Sequence, residues 1–163
     1  MGRPLWTPDF ACGRRLFGLF GCHGVPVTTP ELARVPVRSA LALTRRWVAL
    51  LAPPIFTARS LWLTWLDDSG LMLPLVIPID DVPETPDSYV LRGVLQMHEA
   101  VTAQRGVAHL ALALCRPGAP VVTEDDDEWL EALREDLDEQ IDETWSLHLA
   151  AGGAVVPVVD YPA

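Results

Sequence analysis

The run from Val107 to Cys115 constrains the fold more than any other part of the sequence. It contains one polar residue, His109, and lies between Gly106 and the loop Pro117–Pro120. A short apolar run with turn residues at both ends is typical of a strand that is buried on both faces. We therefore predict an α/β domain in which this strand lies in the interior of the sheet.

Periodicity and turn residues predict the other elements. Thr29-Pro30-Glu31 is typical of a helix start, and Pro36 interrupts that helix. In chain order, the further predicted elements begin with a helix over Val37–Ala52. Its apolar positions are Leu41, Val48 and Leu51, with Ala40, Leu43, Trp47 and Leu50 near them. The strands Ser60–Leu66 and Leu71–Ile79 follow as a hairpin around the turn Asp67–Gly70, and a helix from a Thr85 cap to about Arg105 leads to the Val107–Cys115 strand. A helix from Thr123 has an apolar stripe of Leu130, Leu133, Leu137 and Ile141, and the strands Trp145–Leu149 and Ala154–Val159 are the last two elements. The predicted order is α-β-β-α-β-α-β-β. It indicates an α/β fold bordering on α+β, with a mixed sheet of about five strands flanked by helices in two or three layers.

Two prolines indicate where the second hairpin strand lies in the sheet. Pro74 and Pro78 both fall within Leu71–Ile79. Proline has no N–H to donate to a neighbouring strand, so we predict that this strand lies at an edge of the sheet or leaves the sheet early.

The chain divides into an N-terminal arm and one domain. Residues 1–30 hold five glycines and four prolines and show no regular periodicity. The arm also contains Trp6, Phe10, Phe17 and Phe20, which are more aromatic residues than a disordered tail usually has. We expect it to pack on the domain or on a partner. Residues 31–163 have the size of a single domain and are predicted to form one.

Charge is distributed unevenly along the chain. The net charge is −10, and all twelve basic residues are arginines. Without lysine, the chain has no lysine nucleophile, Schiff base or P-loop lysine. The segment from Glu124 to Glu143 holds twelve acids and Arg134, a local balance of −11, so the rest of the chain sums to +1.

This acidic segment predicts the kind of partner. Nucleic acid is disfavoured, because phosphate binding requires a clustered positive field. A partner protein with a basic surface is favoured, although solubility alone also explains such a face. A homodimer through the hairpin edge is a further possibility. The predicted partner surface comprises Glu128, Glu131, Glu135, Asp138 and Asp142.

The sequence shows no membrane span and no secretion signal. The longest candidate, Ala40–Phe56, is interrupted by Arg45-Arg46 and Pro53-Pro54. The N-terminus lacks an apolar core followed by a small-residue cleavage site, so a cytoplasmic location is expected.

Three cysteines, Cys12, Cys22 and Cys115, are an odd number and argue against a disulfide framework. Cys12, Cys22 and His23 lack the paired spacing of a metal site.

The segment from Leu114 to Asp126 is the most informative motif. A buried strand ends in it and a helix begins at Thr123, and ligand sites often lie at such junctions in α/β folds. It resembles the RadC-like branch of the JAB/MPN domain family, whose zinc motif is H-x-H-P-S-G, a short proline-containing loop and S-x-x-D at a helix start. The chain keeps Pro117, Gly118 and Pro120, and has Thr123-x-x-Asp126 in place of S-x-x-D. The resemblance covers about residues 59–159 and implies a JAB-like fold.

The chain departs from that family at the metal ligands. Leu114 and Arg116 stand where the family has its two zinc-binding histidines. Leucine cannot bind zinc and arginine would repel it, so the resemblance implies a fold without its metal.

Each candidate at this junction also has a structural explanation. Thr123 and Asp126 fit a capping box, with a hydroxyl cap and an acid at the third helical position. Arg116 is expected either to pair with Asp125 or Asp126 or to bind an anion or carboxylate. We therefore keep Arg116, Thr123 and Asp126 as candidate binding residues.

Other polar residues offer weaker candidate sites. A zinc site built from His109, His148 and Asp126 would require three separate elements to converge. The pairs Asp67-Asp68 and Asp80-Asp81 could act in acid–base chemistry or bind Mg²⁺, but beside Ser, Gly and Pro they are typical of turns. No metal and no catalytic residue is predicted.

Three functions are consistent with these patterns. We favour a non-catalytic protein-binding or regulatory module, a pseudoenzyme on a metal-free JAB-like fold. The first alternative is a hydrolase with a non-standard site near Arg116 and Asp126, and the second is a structural or assembly component. The chain has no GxSxG, P-loop, GxGxxG or HExxH motif, so no cofactor is predicted.

Overall fold

The computed structural model describes residues 34–162 and forms three layers, with helices on both faces of a sheet. Its elements are α1 (Ala40–Leu50), β1 (Ser60–Leu66), β2 (Met72–Ile79), α2 (Ser88–Thr102), β3 (His109–Cys115), α3 (Glu124–Gln140), β4 (Thr144–Ala151) and β5 (Ala154–Val159). This is the predicted order. The aromatic arm, the helix start at Thr29-Pro30-Glu31 and the group Cys12, Cys22 and His23 lie outside the described residues.

Strand β3 occupies the centre of the sheet, as its apolar run predicts. The strand order is β2-β1-β3-β4-β5, in which only the β3–β4 pair is parallel. Every residue of β3 is buried. Leu110, Leu112 and Leu114 face the core beneath α2 and α3, whereas Ala111, Ala113 and Cys115 face α1. The mixed sheet and its helices confirm the α/β class.

Both edges of the sheet carry prolines. Pro74 and Pro78 lie in β2, which is the edge strand that they predict. Pro157 lies in β5 at the opposite edge. Prolines at an edge limit the hydrogen bonds available to another chain, which protects the sheet from edge-to-edge pairing.

Helix α1 buries part of the predicted apolar set. Leu43 and Trp47 are fully buried and Leu51 is 5% exposed, whereas Leu41 and Val48 are 59% and 44% exposed. Arg46 is also buried and donates a hydrogen bond to the backbone oxygen of Val35. Leu43, Trp47 and Leu51 lie four residues apart and share one side of the helix, so Leu41 and Val48, which lie on another side, were wrongly placed on the apolar face.

The start of α2 also differs from the prediction. Asp87, not Thr85, is the N-cap, and its carboxylate accepts hydrogen bonds from the backbone N–H groups of Tyr89 and Val90, at 2.8 and 3.2 Å. A carboxylate that satisfies two helix N–H groups at once is a strong cap. The helix ends at Thr102, three residues before the predicted Arg105.

Helix α3 begins and packs as its pattern predicts, with one addition. Leu133 and Leu137 are buried, and Leu130 and Ile141 are partly buried against the same core. Trp129, which the aliphatic stripe omits, is fully buried, and its indole N–H donates to the backbone oxygen of Pro83 at 3.0 Å. No helix within residues 34–162 is long and apolar enough to span a membrane.

Candidate functional site

The junction between β3 and α3 brings together the three candidate binding residues. Thr123 is the N-cap of α3, and its side-chain oxygen accepts from the backbone N–H of Asp126 at 3.4 Å. The Asp126 carboxylate in turn accepts from the backbone N–H of Thr123 at 2.9 Å. The predicted capping box is therefore confirmed, with Asp in the position where Glu is usual.

Arg116 and Asp126 form a buried ion pair at this junction. The Nε of Arg116 lies 2.9 and 3.0 Å from the two carboxylate oxygens, and its Nη2 lies 2.6 Å from Oδ2. The two residues are 5% and 3% exposed. Arg59, just before β1, adds a second cation at 3.2 Å from Asp126 Oδ1. The pair thus connects three segments that are distant in sequence.

The loop after Arg116 closes around its guanidinium group. Nη1 donates to the backbone oxygens of Pro117 and Ala119 at 3.0 and 3.1 Å, and Nη2 donates to Val121 at 2.8 Å. With the contacts to Asp126, all five N–H groups of Arg116 have acceptors in the chain. In this conformation the guanidinium offers no free donor to an external anion.

Two glycines with positive φ shape this loop and the turn beside it. Gly118 has φ +97°, a conformation that other residues rarely adopt, and a Cβ there would lie at an ordinary contact distance of 3.4 Å from Arg116 Nη1. In the β4–β5 turn, a Cβ on Gly152 would lie 2.8 Å from the backbone oxygen of Gly118. Both positions therefore require glycine.

The ion pair keeps both partners charged. The hydrogen bond with Asp126 raises the pKa of Arg116 above its usual value. Burial alone would raise the pKa of the Asp126 carboxyl, but hydrogen bonds from Arg116 and Thr123 outweigh it, and the pKa is lowered. Hydrogen bonds to the ionised form are the cause of both shifts.

The residues at this junction do not fit a zinc ion. Leu114 packs in the apolar core, and Arg116 already binds both carboxylate oxygens of Asp126. A zinc ion would need neutral or anionic ligands at these positions. Within residues 34–162, no group of three or more His, Cys, Asp and Glu side chains could hold a metal ion.

The histidines lie away from Asp126. His109 begins β3, whereas Arg116 and its partner follow the other end, about 20 Å along the strand. The ring nitrogens of His109 lie 2.8 Å from the hydroxyls of Thr144 and Ser146. His148 Nε2 lies 2.9 Å from the Thr44 hydroxyl of α1.

Both strand histidines are buried inside the protein. Burial lowers the pKa of each to about 4, so both are neutral at pH 7. Ser146 and His109 are hydrogen-bonded as in a nucleophile–base pair, but they are 0% and 2% exposed. These contacts join β3, β4 and α1, and the structure does not bring the histidines to Asp126.

The paired aspartates lie in turns. The Asp67 carboxylate accepts from the backbone N–H groups of Ser69 and Leu71 at 2.9 and 3.0 Å, which closes the β1–β2 turn. Asp81 has φ +55°, a left-handed conformation that aspartate tolerates in turns. This geometry matches the turn interpretation of both pairs.

The predicted partner surface is exposed on α3 and just beyond it. All five of its acids are exposed: Glu128, Glu131, Glu135, Asp138 and Asp142. Arg134 lies among them and pairs with Glu131 at 2.8 Å. We call these five residues the acidic face. Its members lie three or four residues apart, so like charges are neighbours along the helix.

Beside the acidic face is an open groove of ≈ 480 Å³. It lies between the C-terminal end of α3, the start of β4 and the segment after β5. The lining residues are Arg134, Leu137, Asp138, Ile141, Glu143, Thr144, Trp145, Val159, Asp160 and Pro162. Sequence patterns did not indicate this groove, because its walls come from three separate elements.

No known protein family has a profile that matches the chain, and no curated protein resembles it significantly in sequence.

Proposed function

We propose that this domain is a non-catalytic protein-binding module that uses the acidic face to bind a basic partner protein. One observation supports this most strongly: five acids are exposed together on and beside α3, and the whole segment Glu124–Glu143 contains a single base, Arg134. Opposite charge on a partner attracts it over distances near the Debye length and fixes how the two surfaces meet.

The acidic face lowers the intrinsic stability of its own helix. Glu131 and Glu135 are four residues apart on α3, and such a like-charge pair on a helix destabilises it by about 0.2–0.5 kcal/mol. A basic partner would remove this repulsion on binding. The repulsion between these acids therefore destabilises the free domain and favours formation of the complex.

We also propose that the domain has a JAB-like fold that lacks the zinc ion of that family. Two features support it: a hairpin, a helix and a buried strand precede the junction in the implied order, and Pro117, Gly118, Pro120, Thr123 and Asp126 keep the frame of the motif. In this proposal Arg116 stands where the resemblance implies a zinc-binding histidine, and its ion pair with Asp126 connects the end of β3 to the start of α3. The charges of that junction are thus engaged internally, which leaves the acidic face as the favoured contact surface.

Comparative co-purification from the native host tests the proposal. The bait variant Glu131→Gln/Glu135→Gln/Asp138→Asn removes three charges from the acidic face. The matched control, Asp68→Asn/Glu84→Gln/Glu99→Gln, removes three charges from exposed acids elsewhere. We expect a partner that the wild type and the control retain and the acidic-face variant loses. If the acidic-face variant retains every protein that the wild type captures, the proposal is wrong.

A further inference from the structure

The groove beside the acidic face combines apolar walls with an acidic rim. Ile141, which caps α3, and Val159 of β5 are partly exposed and supply apolar surface, while Leu137 and Trp145 line the groove but are 1% and 9% exposed. The groove is open to solvent, and its volume of ≈ 480 Å³ has room for a single side chain of a partner.

Three carboxylates, Asp138, Glu143 and Asp160, line this groove. Among the described residues that line it, Arg134 is the one base, and its guanidinium already pairs with Glu131 at 2.8 Å. The charge that the groove presents to a ligand is therefore negative.

The end of α3 adds to this negative potential. The groove lies at the helix C-terminus, where the unpaired carbonyls carry the negative end of the helix dipole. The last turn of α3 has no basic residue, although a base there would be favourable. It holds Asp138 and Glu139 instead, which the dipole disfavours. A sequence that departs from local preference in this way is expected where a functional contact compensates.

Internal hydrogen bonds fix two of the carboxylates in place. The Trp145 indole N–H donates to Asp138 at 2.7 Å, which positions the indole and the carboxylate together. Glu143 lies 2.9 Å from His98 Nε2, and this contact lowers the pKa of Glu143 even though burial opposes it. Two anions and an apolar wall are thus already ordered before a ligand binds, which reduces the entropic cost of binding.

We propose that this groove binds an arginine side chain that lies next to apolar residues in the partner protein. The apolar stem would pack on Ile141 and Val159, and the guanidinium would reach the carboxylates of Asp138 and Asp160. Arginine fits better than lysine, because its planar, weakly hydrated head forms two parallel hydrogen bonds with a carboxylate. This inference rests on the proposed function: it names the side chain that the acidic module selects.

A titration monitored by NMR tests the inference with a defined probe. The capped peptide acetyl-Leu-Arg-Leu-amide is added to the full chain, and binding is followed at the indole N–H signal of Trp145, which Trp145→Phe identifies. The neutral comparison is the same peptide with citrulline, which has the shape of arginine without its charge. We expect a Kd on the order of 1 mM for the arginine peptide and binding at least about five-fold weaker for citrulline.

Two protein variants locate the binding site. Asp160→Asn removes one charge at the groove. Asp127→Asn removes one charge near the N-terminal end of α3, about 16 Å along the helix from Asp138. Both residues are exposed, so neither change should affect folding. We expect Asp160→Asn to weaken the arginine peptide by about five-fold and Asp127→Asn to leave its affinity unchanged.

Several results would overturn the inference. These are no shift of the Trp145 signal, equal affinity for the arginine and citrulline peptides, or equal weakening by Asp160→Asn and Asp127→Asn. If one of them occurs while co-purification still depends on the acidic face, only the groove assignment fails. If co-purification does not depend on the acidic face, the proposed function fails by its own test.

Discussion

Replacing Asp126 with asparagine should destabilise the domain strongly, because this carboxylate neutralises a buried arginine. Asp126 is 3% exposed and accepts hydrogen bonds from Arg116, Arg59 and the backbone N–H of Thr123. Asparagine has nearly the same shape but no charge, and its NH₂ group cannot accept from a guanidinium. Removing one partner of a buried ion pair typically costs about 3–5 kcal/mol.

The free energy of unfolding from urea denaturation at pH 7, followed by circular dichroism, measures this effect. We expect Asp126→Asn to lower it by about 3–5 kcal/mol, with an unchanged dependence on urea concentration. Asp127→Asn, one residue along in the same helical turn but exposed, serves as the control and should lose only a small fraction of that amount.

A double substitution separates the unpaired charge from the lost hydrogen bonds. Arg116→Met/Asp126→Leu removes the unpaired Arg116 charge, but the backbone N–H of Thr123 and the loop carbonyls that Arg116 contacts also lose their partners, and Arg59 loses its contact with Asp126. It should therefore recover only part of the stability that Asp126→Asn loses. If Asp126→Asn stays within about 1 kcal/mol of the wild type, the ion pair does not hold the β3–α3 junction together.

Lowering the pH from 6.5 towards 4 should destabilise the fold. His109 and His148 have pKa values of about 4 in the fold, so in this range only the unfolded state is protonated at these histidines, and at pH 5 each histidine lowers the free energy of unfolding by about 2 kcal/mol. A urea midpoint that does not change between pH 7 and pH 5 would contradict this. Gly118→Ala should lower the free energy of unfolding by about 1 kcal/mol or more, since Gly118 has φ +97° and lies against Arg116, whereas Gly106→Ala, where a Cβ meets no atom within 4 Å, is the control. Leu43→Ala should lower the free energy of unfolding by about 2–5 kcal/mol, and Leu41→Ala should lower it far less, because Leu43 is buried and Leu41 is exposed. Equal effects of the two changes in thermal denaturation would contradict the assignment of the buried face of α1.

The parts of the fold that were predictable depend on local signals. The β3 run has one polar residue in the stretch from Val107 to Cys115, so its central position followed from composition alone. The Thr123–Asp126 capping box involves residues three apart, and Pro74 and Pro78 placed β2 at the edge. In each case the signal comes from residues that lie close together in the sequence.

The features that sequence patterns missed depend on contacts between distant segments. Arg59 lies far from Asp126 in sequence, and no local pattern connects them. On α1, Leu41 and Val48 are exposed although the apolar pattern includes them, and Arg46 is buried although it is charged. The groove is formed by α3, β4 and the segment after β5, which only the fold brings together.

Binding of a basic partner through the acidic face is tested by the affinity of one co-purified partner for three forms of the protein, measured by calorimetry at low and high salt. The forms are the wild type, Glu131→Gln/Glu135→Gln/Asp138→Asn and the control Asp68→Asn/Glu84→Gln/Glu99→Gln. We expect the wild type and the control to bind alike and to weaken about ten-fold or more between 50 and 300 mM NaCl, while the acidic-face variant binds weakly at both. Equal, salt-insensitive affinities for all three forms would contradict it.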